Sequence, residues 1–415
     1  MANSIQNVKD AAGIIAKSAA QMLADKCMFS KSIDVADESD FAGKNGYQAG
    51  DTIQIAKPAR FIPTTSEDVT SAIQDIKEEK VALPLDIYKV VPMALTTAEM
   101  ATTLSLKNWM NRVLEPAVSS IAQHVDLAFL DKAVKATANL VGTAGSTTFD
   151  TDTILAAGAR INEMGCPDLD SRYVLLNSQG MRSATNARKG LFQSSEEIAK
   201  QYKKGYVGTA DGFDFLTSNL LPVITNGNDV TGVAVESSVL APATGATQLG
   251  VDGLTTTTGT VAKGSVFTIA GVYAVHPITK VAYPYLQQFV VTADATADGS
   301  GQATLSISPT IYSSASGSLQ NVSALPADEA ALVFVGSAST AYGQNIAYHK
   351  SAFRRVSVPL VLPQGMNTAA QETADGHTIR VLSDFDILTG KMIMRLDYLG
   401  GLAAVRPEWA CRITA

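Results

Sequence analysis

Few side chains in this sequence have the types and spacings that do chemistry. Asp168 and Asp170 in "CPDLDSRY" would face one way on a strand, as the carboxylates of a general acid–base pair do. They follow Pro167 in a loop, where Asp ordinarily turns or caps the chain, and that is the role expected of them. Asp294 and Asp298, ahead of Gly299, have the opening spacing of a calcium loop. Repeated acidic ligands and a closing Glu are missing, so Asp298-Gly299 is expected to be a hairpin turn. His124, His276, His349 and His377 stand in separate parts of the chain without ligand sets around them, which predicts packed or surface imidazoles and no metal centre. Cys27, Cys166 and Cys411 lie far apart without metal spacing and are expected to be reduced, packed thiols. A Gly-rich phosphate loop, a helical two-His zinc motif, paired cysteine motifs and a nucleophile elbow are all absent from the sequence. No catalytic, cofactor-binding or metal residue is nominated, and an enzyme is not expected.

Composition narrows the class further. A chain of 415 residues, 46% apolar and 17% charged, has room for two or three folded domains with a large core. The net charge of -7 opposes nucleic-acid binding, which needs clustered Lys and Arg. The start "MANSIQNVKD" has no basic region followed by an apolar one, and no window reaches the ~18 apolar residues of a membrane span, so synthesis in the cytoplasm without membrane attachment is expected.

The elements follow from periodicity. "QNVKDAAGIIAKSAAQMLADKCMF" places Val8, Ala12, Ile15, Ala19, Met22 and Leu23 at helical spacing, an amphipathic helix that requires a partner surface. Thr52, Gln54 and Ala56 alternate with Ile53 and Ile55 ahead of Pro58 and Pro63, as in an edge-like extended segment. From Val69 to Met100 the chain alternates on both sides of Lys77, Glu78, Glu79 and Lys80. This predicts a two-stranded ribbon with a solvated tip, which would dock outside its own domain because isolated ribbons are marginal in water. Ala117, Ile121, Val125, Ala128 and Phe129 mark one face of a long helix from about residue 116 to 140, on the order of 35 Å long. A helix then starts at Asp150 or Asp152 as N-cap and stops at Gly165. A buried strand covers Tyr173 to Leu176, a further helix is capped by Asn177 or Ser178, and a short helix is expected from Ser195 to Lys204.

Beyond that the composition changes. Between Ser237 and Pro326 the only charged side chains are Asp252, Lys263, Lys280, Asp294 and Asp298, and Thr, Ser, Gly and Ala dominate. "SVFTIAGV", "QFVVTADA", "ATLSISPTI" and "AALVFVGSA" each alternate, which predicts a small antiparallel barrel. The strands after it, "RRVSVPLVLP", "HTIRVLSDFD" and "KMIMRLDYLGGLAAVRPEWACRITA", are too few for a domain of their own. They are expected to complete a sheet begun before residue 224, which makes the module an insertion.

This order of elements resembles the coat proteins of short-tailed bacteriophages, with similar stretches in "AGDTIQIAKPARF", "YVLLNSQGMRSA", "GFDFLTSNLLPVIT", "KGSVFTIAGVY" and "NIAYHKSAFRRVSVPL". The resemblance implies an α+β fold of the tailed-phage major capsid type (Hong Kong ninety-seven). Residues 1–62 would be an N-terminal arm and 63–100 an extended β-ribbon loop. Residues 101–223 would hold the spine helix and the first part of the peripheral and axial domains, 224–345 an inserted β-barrel, and 346–415 the return strands. It further implies a major capsid protein forming pentamers and hexamers of an icosahedral shell, with a scaffolding protein and a portal protein as partners and packaged double-stranded DNA held without specific binding. The arm and ribbon would reach neighbouring subunits, which makes Lys77, Glu78, Glu79 and Lys80 contact candidates, and Lys77 or Lys80 the candidates for the Lys–Asn cross-link that some such capsids form. Asp252 would lie on an inter-subunit loop within residues 241–260. Two rivals share part of the pattern: an encapsulating nanocompartment protein, expected to lack a large insertion, and a secreted β-rich adhesion protein, expected to carry a secretion signal.

Overall fold

The computed structural model describes residues 6–36, 50–57, 61, 70, 73, 79–96, 110–146, 151–167, 170–187, 208–363 and 368–414. They form an α+β fold of two compact units, each drawn from distant stretches of chain. One comprises Met1–Ile55, Lys80–Leu130 and Phe353–Val405, the other Ala56–Glu79, Asp131–Ala352 and Arg406–Ala415. The chain passes from the first to the second within the helix Glu115–Ala136.

In the first unit the 14-residue strand Lys391–Ala404 organises a six-stranded sheet. Its first part runs between His377–Asp386 and Ile87–Thr96, and its last part pairs with Phe353–Ser357. Thr368–Ala374 extends the sheet beyond His377–Asp386, and Asp34–Val35 joins Phe353–Ser357 in parallel. The helix Gln6–Lys26 packs on Thr368–Ala374 and His377–Asp386. Its buried face is Ile15, Ala16, Ala19, Ala20 and Leu23, and the run of alanines lets helix and sheet approach closely. The partner surface that this helix requires is thus supplied by its own unit.

Of the ribbon expected over Val69–Met100, the half before the charge knot lies outside the described residues apart from residues 70 and 73. After the knot, Lys80–Pro84 pairs with Thr52–Ala56, and Ile87–Thr96 joins the sheet on Lys391–Ala404. Leu83, Leu85 and Ile87 of this stretch are buried. The strands after residue 346 divide between two sheets, each with strands from before residue 224: the end of Ala341–His349 and Ala410–Thr414 pair with Arg172–Leu176 and Leu140–Val141, whereas Phe353–Ser357 and Lys391–Ala404 pair with Asp34–Val35 and Ile87–Thr96.

In the second unit, Ala341–His349 is the central strand of a seven-stranded mixed sheet. It pairs antiparallel with Ala410–Thr414, with Arg172–Leu176 and, at its start, with Val223–Thr225. Phe213–Thr217 runs parallel to Arg172–Leu176, and Leu140–Val141 parallel to Ala410–Thr414. The helix Thr151–Glu163 covers this sheet through Ile154, Ala157 and Ile161, which meet Val174, Phe213, Phe215 and Ile413. It stops at Gly165, φ +77°, where a left-handed residue is required. Asp152 lies inside its first turn and is not the cap, and Asp150 lies outside the described residues. Asn177 caps Ser178–Ala187 by accepting the Gly180 N–H at 2.6 Å. The helix Glu115–Ala136 ends short of the expected residue 140, because Leu140 is taken into the sheet and Thr137 Oγ1 bonds back to the Ala133 carbonyl at 2.8 Å. The helix expected from Ser195 to Lys204 lies outside the described residues.

The low-charge module, part of this second unit, has a six-stranded sheet in the order Ala234–Val235, Ala246–Asp252, Ala303–Ile311, Ala282–Val291, Val266–Val275 and Leu332–Phe334, and a two-stranded one of Thr260–Val261 and Ala295–Thr296. Leu332 N–H donates to the Val233 carbonyl at 2.8 Å and Val235 N–H to that of Ala330 at 3.0 Å, so the path of hydrogen bonds returns to its first strand. Inward residues such as Leu249, Val251, Phe267, Ile269, Phe289, Leu305 and Ile307 make one apolar cluster. At the Asp298 turn the side chain accepts the N–H groups of Ser300 (2.8 Å) and Gln302 (2.9 Å). The left-handed residue is Gly301, φ +78°, and not Gly299.

Candidate functional site

In the second unit the main joint lies where the module meets the mixed sheet. Val223, Ile224 and Thr225 pair with Gly343, Tyr342 and Ala341, so the chain enters and leaves the module side by side. Asn226, the next residue, donates to the carbonyls of Val335 (2.9 Å) and Ser337 (3.3 Å) and accepts from Ser265 Oγ (3.2 Å), locking the two crossings together. Gln288 on a module strand exchanges two hydrogen bonds with the backbone of Leu140, each 2.9 Å.

Arg412, on the last strand, donates from Nε to the Thr137 carbonyl at 2.7 Å and from Nη1 to the Gly264 carbonyl at 2.8 Å. Burial pulls its pKa down to about 9, so the guanidinium is still charged at neutral pH. Tyr285 OH donates to Glu163 Oε2 at 2.6 Å, Tyr283 OH donates to the Glu163 carbonyl at 2.8 Å, and Arg160 lies 3.8 Å over the Tyr285 ring. Partial burial, then the hydrogen bond to Glu163, raise the Tyr285 pKa and keep it a phenol. These ties close a joint built from carbonyls and neutral donors as much as from charge.

The first unit has a buried polar node of its own. Asp126 Oδ2 accepts the N–H groups of Met28 (2.8 Å) and Phe29 (3.2 Å), and Oδ1 that of Ser30 (3.3 Å). Arg355 Nε donates to the Ser30 carbonyl at 2.6 Å, and its Nη1 and Nη2 donate to Gly376 (2.9 Å) and Asp375 (2.6 Å). His377 lies between Ser30 Oγ and Tyr398 OH, 3.3 Å from each. Burial, reinforced by the Arg355 charge, lowers its pKa to about 3. Burial also pushes the Cys27 thiol up to about 12, as it does that of Cys411. Both sulfurs are packed thiols, as expected.

The remaining sequence candidates separate. Asp170 is exposed, and Asp168 lies outside the described residues. Asp294 accepts the Lys263 N–H at 2.6 Å, and Asp298 caps the hairpin turn expected there. His276 Nδ1 caps a turn by accepting from Ile278 and Thr279 at 3.0 Å, His349 packs edge-on against Trp409, and His124 is exposed. Lys77 and Glu78 lie outside the described residues, and Lys80 is exposed at the start of its strand. Glu79 is engaged within its own chain: it accepts from Tyr312 OH at 2.8 Å and pairs with Lys57 at 3.5 Å.

Asp252 is not on a loop. It ends the strand Ala246–Asp252, whose pairing continues to that residue, and Glu236, Asp252 and Glu329 bring carboxylate oxygens within 4.8 Å of one another. Partial burial and the Glu236 charge raise the Asp252 pKa. Sequence reading missed Arg412, Gln288, Asn226 and Tyr285. The one available signal was an Arg inside the apolar "ACRIT", a strand with no evident polar face.

A profile of the family described as "P22 coat protein - gene protein 5" matches residues 4–412. Solved structures similar to the chain include that of Mycobacterium phage Che8, at 13% identity over 93% of this chain and 90% of that one, TM-score 0.46. The capsid of Ralstonia phage GP4 is 8% identical over 92% and 87%, TM-score 0.44. The virus-like particle from Pyrococcus furiosus is 6% identical over 96% and 98%, TM-score 0.39. No curated protein sequence matches the chain. The profile runs through the described parts of both units, the joint and the module alike, and the chain belongs to the P22 coat protein family, the major capsid proteins of bacteriophage virions.

Proposed function

We propose that this capsid protein self-assembles as pentamers and hexamers of an icosahedral shell around the double-stranded DNA of a short-tailed phage. In this reading it is made in the host cytoplasm and assembles with a scaffolding protein and a portal protein. The observation that carries the proposal is the family match across residues 4–412. A shell of many copies needs several modest contacts per subunit, which together close a stable particle while single errors still dissociate. The net charge of -7 suits a wall that contains DNA without gripping its phosphates.

Within the subunit, residues 224–345 act as an inserted β-barrel domain that braces the host. The adjacent entry and exit strands and the self-closing hydrogen-bond path support this. Lys77, Glu78, Lys80 and Asp252 are the inter-subunit contact candidates in this reading, with Glu79 serving its own subunit. Co-expression with the scaffolding protein encoded beside it, followed by electron microscopy, tests the proposal. Hollow icosahedral particles with five- and six-fold capsomers are expected; only monomers or open sheets would overturn it, and particles carrying a cargo enzyme would favour a nanocompartment.

A further inference from the structure

Where the module joins the mixed sheet of the second unit, Arg412, Gln344, Thr414, Tyr342 and Gly264 line a cavity of about 10 Å³. The strand register sets Gln344 opposite Thr414 and Ile346 opposite Arg412, so Gln344 and Arg412 are diagonal neighbours on one face, within reach of long side chains. Arg412 is 1% exposed, and while its Nε and Nη1 serve the carbonyls of Thr137 and Gly264, its Nη2 has no hydrogen-bond partner among the described residues. Gln344 is 4% exposed, and its Oε1 is in the same condition. The Nε2 end of that amide faces the Tyr342 carbonyl at 3.4 Å and Thr414 Oγ1 at 3.5 Å, which leaves the acceptor end to the cavity.

We propose that this cavity binds a single water molecule, which accepts a hydrogen bond from Arg412 Nη2 and donates one to Gln344 Oε1. A buried donor or acceptor left unmade is costly, and the space suits one water. A halide would satisfy the guanidinium but would press its charge on the Gln344 carbonyl oxygen; water serves both atoms. Through Arg412 the same water is coupled to the Gly264 carbonyl, so it hydrates the joint on which the module sits.

The test is a structure of the full chain at a resolution that shows ordered solvent, determined in chloride and again in bromide. One rounded density within hydrogen-bond distance of both atoms, unchanged between the salts, is expected. The density should be lost in Q344M, whose side chain fills the space without a strong acceptor, or in Q344L should the first variant fail to fold. A bromide signal in the cavity, an empty cavity, or a direct Arg412–Gln344 bond in the unaltered chain would each overturn the proposal.

Discussion

At the scale of single residues, the first unit is set up to lose stability in acid. His377 is held neutral by burial and by Arg355, with a folded pKa near 3 against 6.5 in the open chain. An imidazole with a depressed folded pKa is protonated first in the unfolded state. Its contribution is therefore intact above 6.5 and is lost as pH falls from there toward about 3, at up to about 1.4 kcal/mol per pH unit. Asp126 acts with the opposite sign: burial raises its pKa, so its contribution is complete below 3.8 and fades as pH rises through the folded value. Urea midpoints measured across this range for the unaltered chain and for His377→Asn isolate the histidine. The gap between the two should change steadily below 6.5 in the direction of a relatively more stable variant, and parallel profiles would refute the assignment. Neither group was readable as buried from sequence, because a lone His or Asp reveals its depth only when the strands and helices around it are placed.

At the scale of elements, periodicity identified much and pairing little. The amphipathic helix, the Thr52–Ala56 strand with Ile53 and Ile55 inward, the buried strand before Asn177 and the alternating strands of the module all follow from side-chain spacing. Which strand lies beside which did not follow. Ile87–Thr96 finds its partner some 300 positions downstream in Lys391–Ala404, and local alternation has no memory of that distance. The long strand also hid its chemistry: Asp397 is fully buried and clamped by Arg380 and Arg395. The tie between the helix Thr151–Glu163 and the module is likewise tertiary. Tyr285→Phe keeps the ring under Arg160 but removes the bond to Glu163. A loss of about 1 kcal/mol in unfolding free energy and faster proteolysis of the module are expected, and unchanged values would show that the contact carries no load.

For the whole molecule, the joint implies that module and host are mechanically linked though covalently simple. Replacing residues 226–340 by a short turn preserves the pairing of Val223–Thr225 with Ala341–Gly343, yet it removes the partners of Leu140, Glu163 and Arg412. Poor folding yield or irregular particles are expected in expression and microscopy; uniform shells of normal size would argue against a bracing role. The capsid architecture was legible early because it is a matter of element order, whereas the contacts that stiffen it are spread over many carbonyls that no motif announces.

The position of Ala410–Thr414, held between Leu140–Val141 and Ala341–His349, has a further consequence for biosynthesis. A ribosome makes every strand of the module long before it reaches this one, so the module can mature on the nascent chain while the mixed sheet waits with a gap between Leu140–Val141 and Ala341–His349. Ala410–Thr414 closes that gap, so the module can fold ahead of the sheet that carries it.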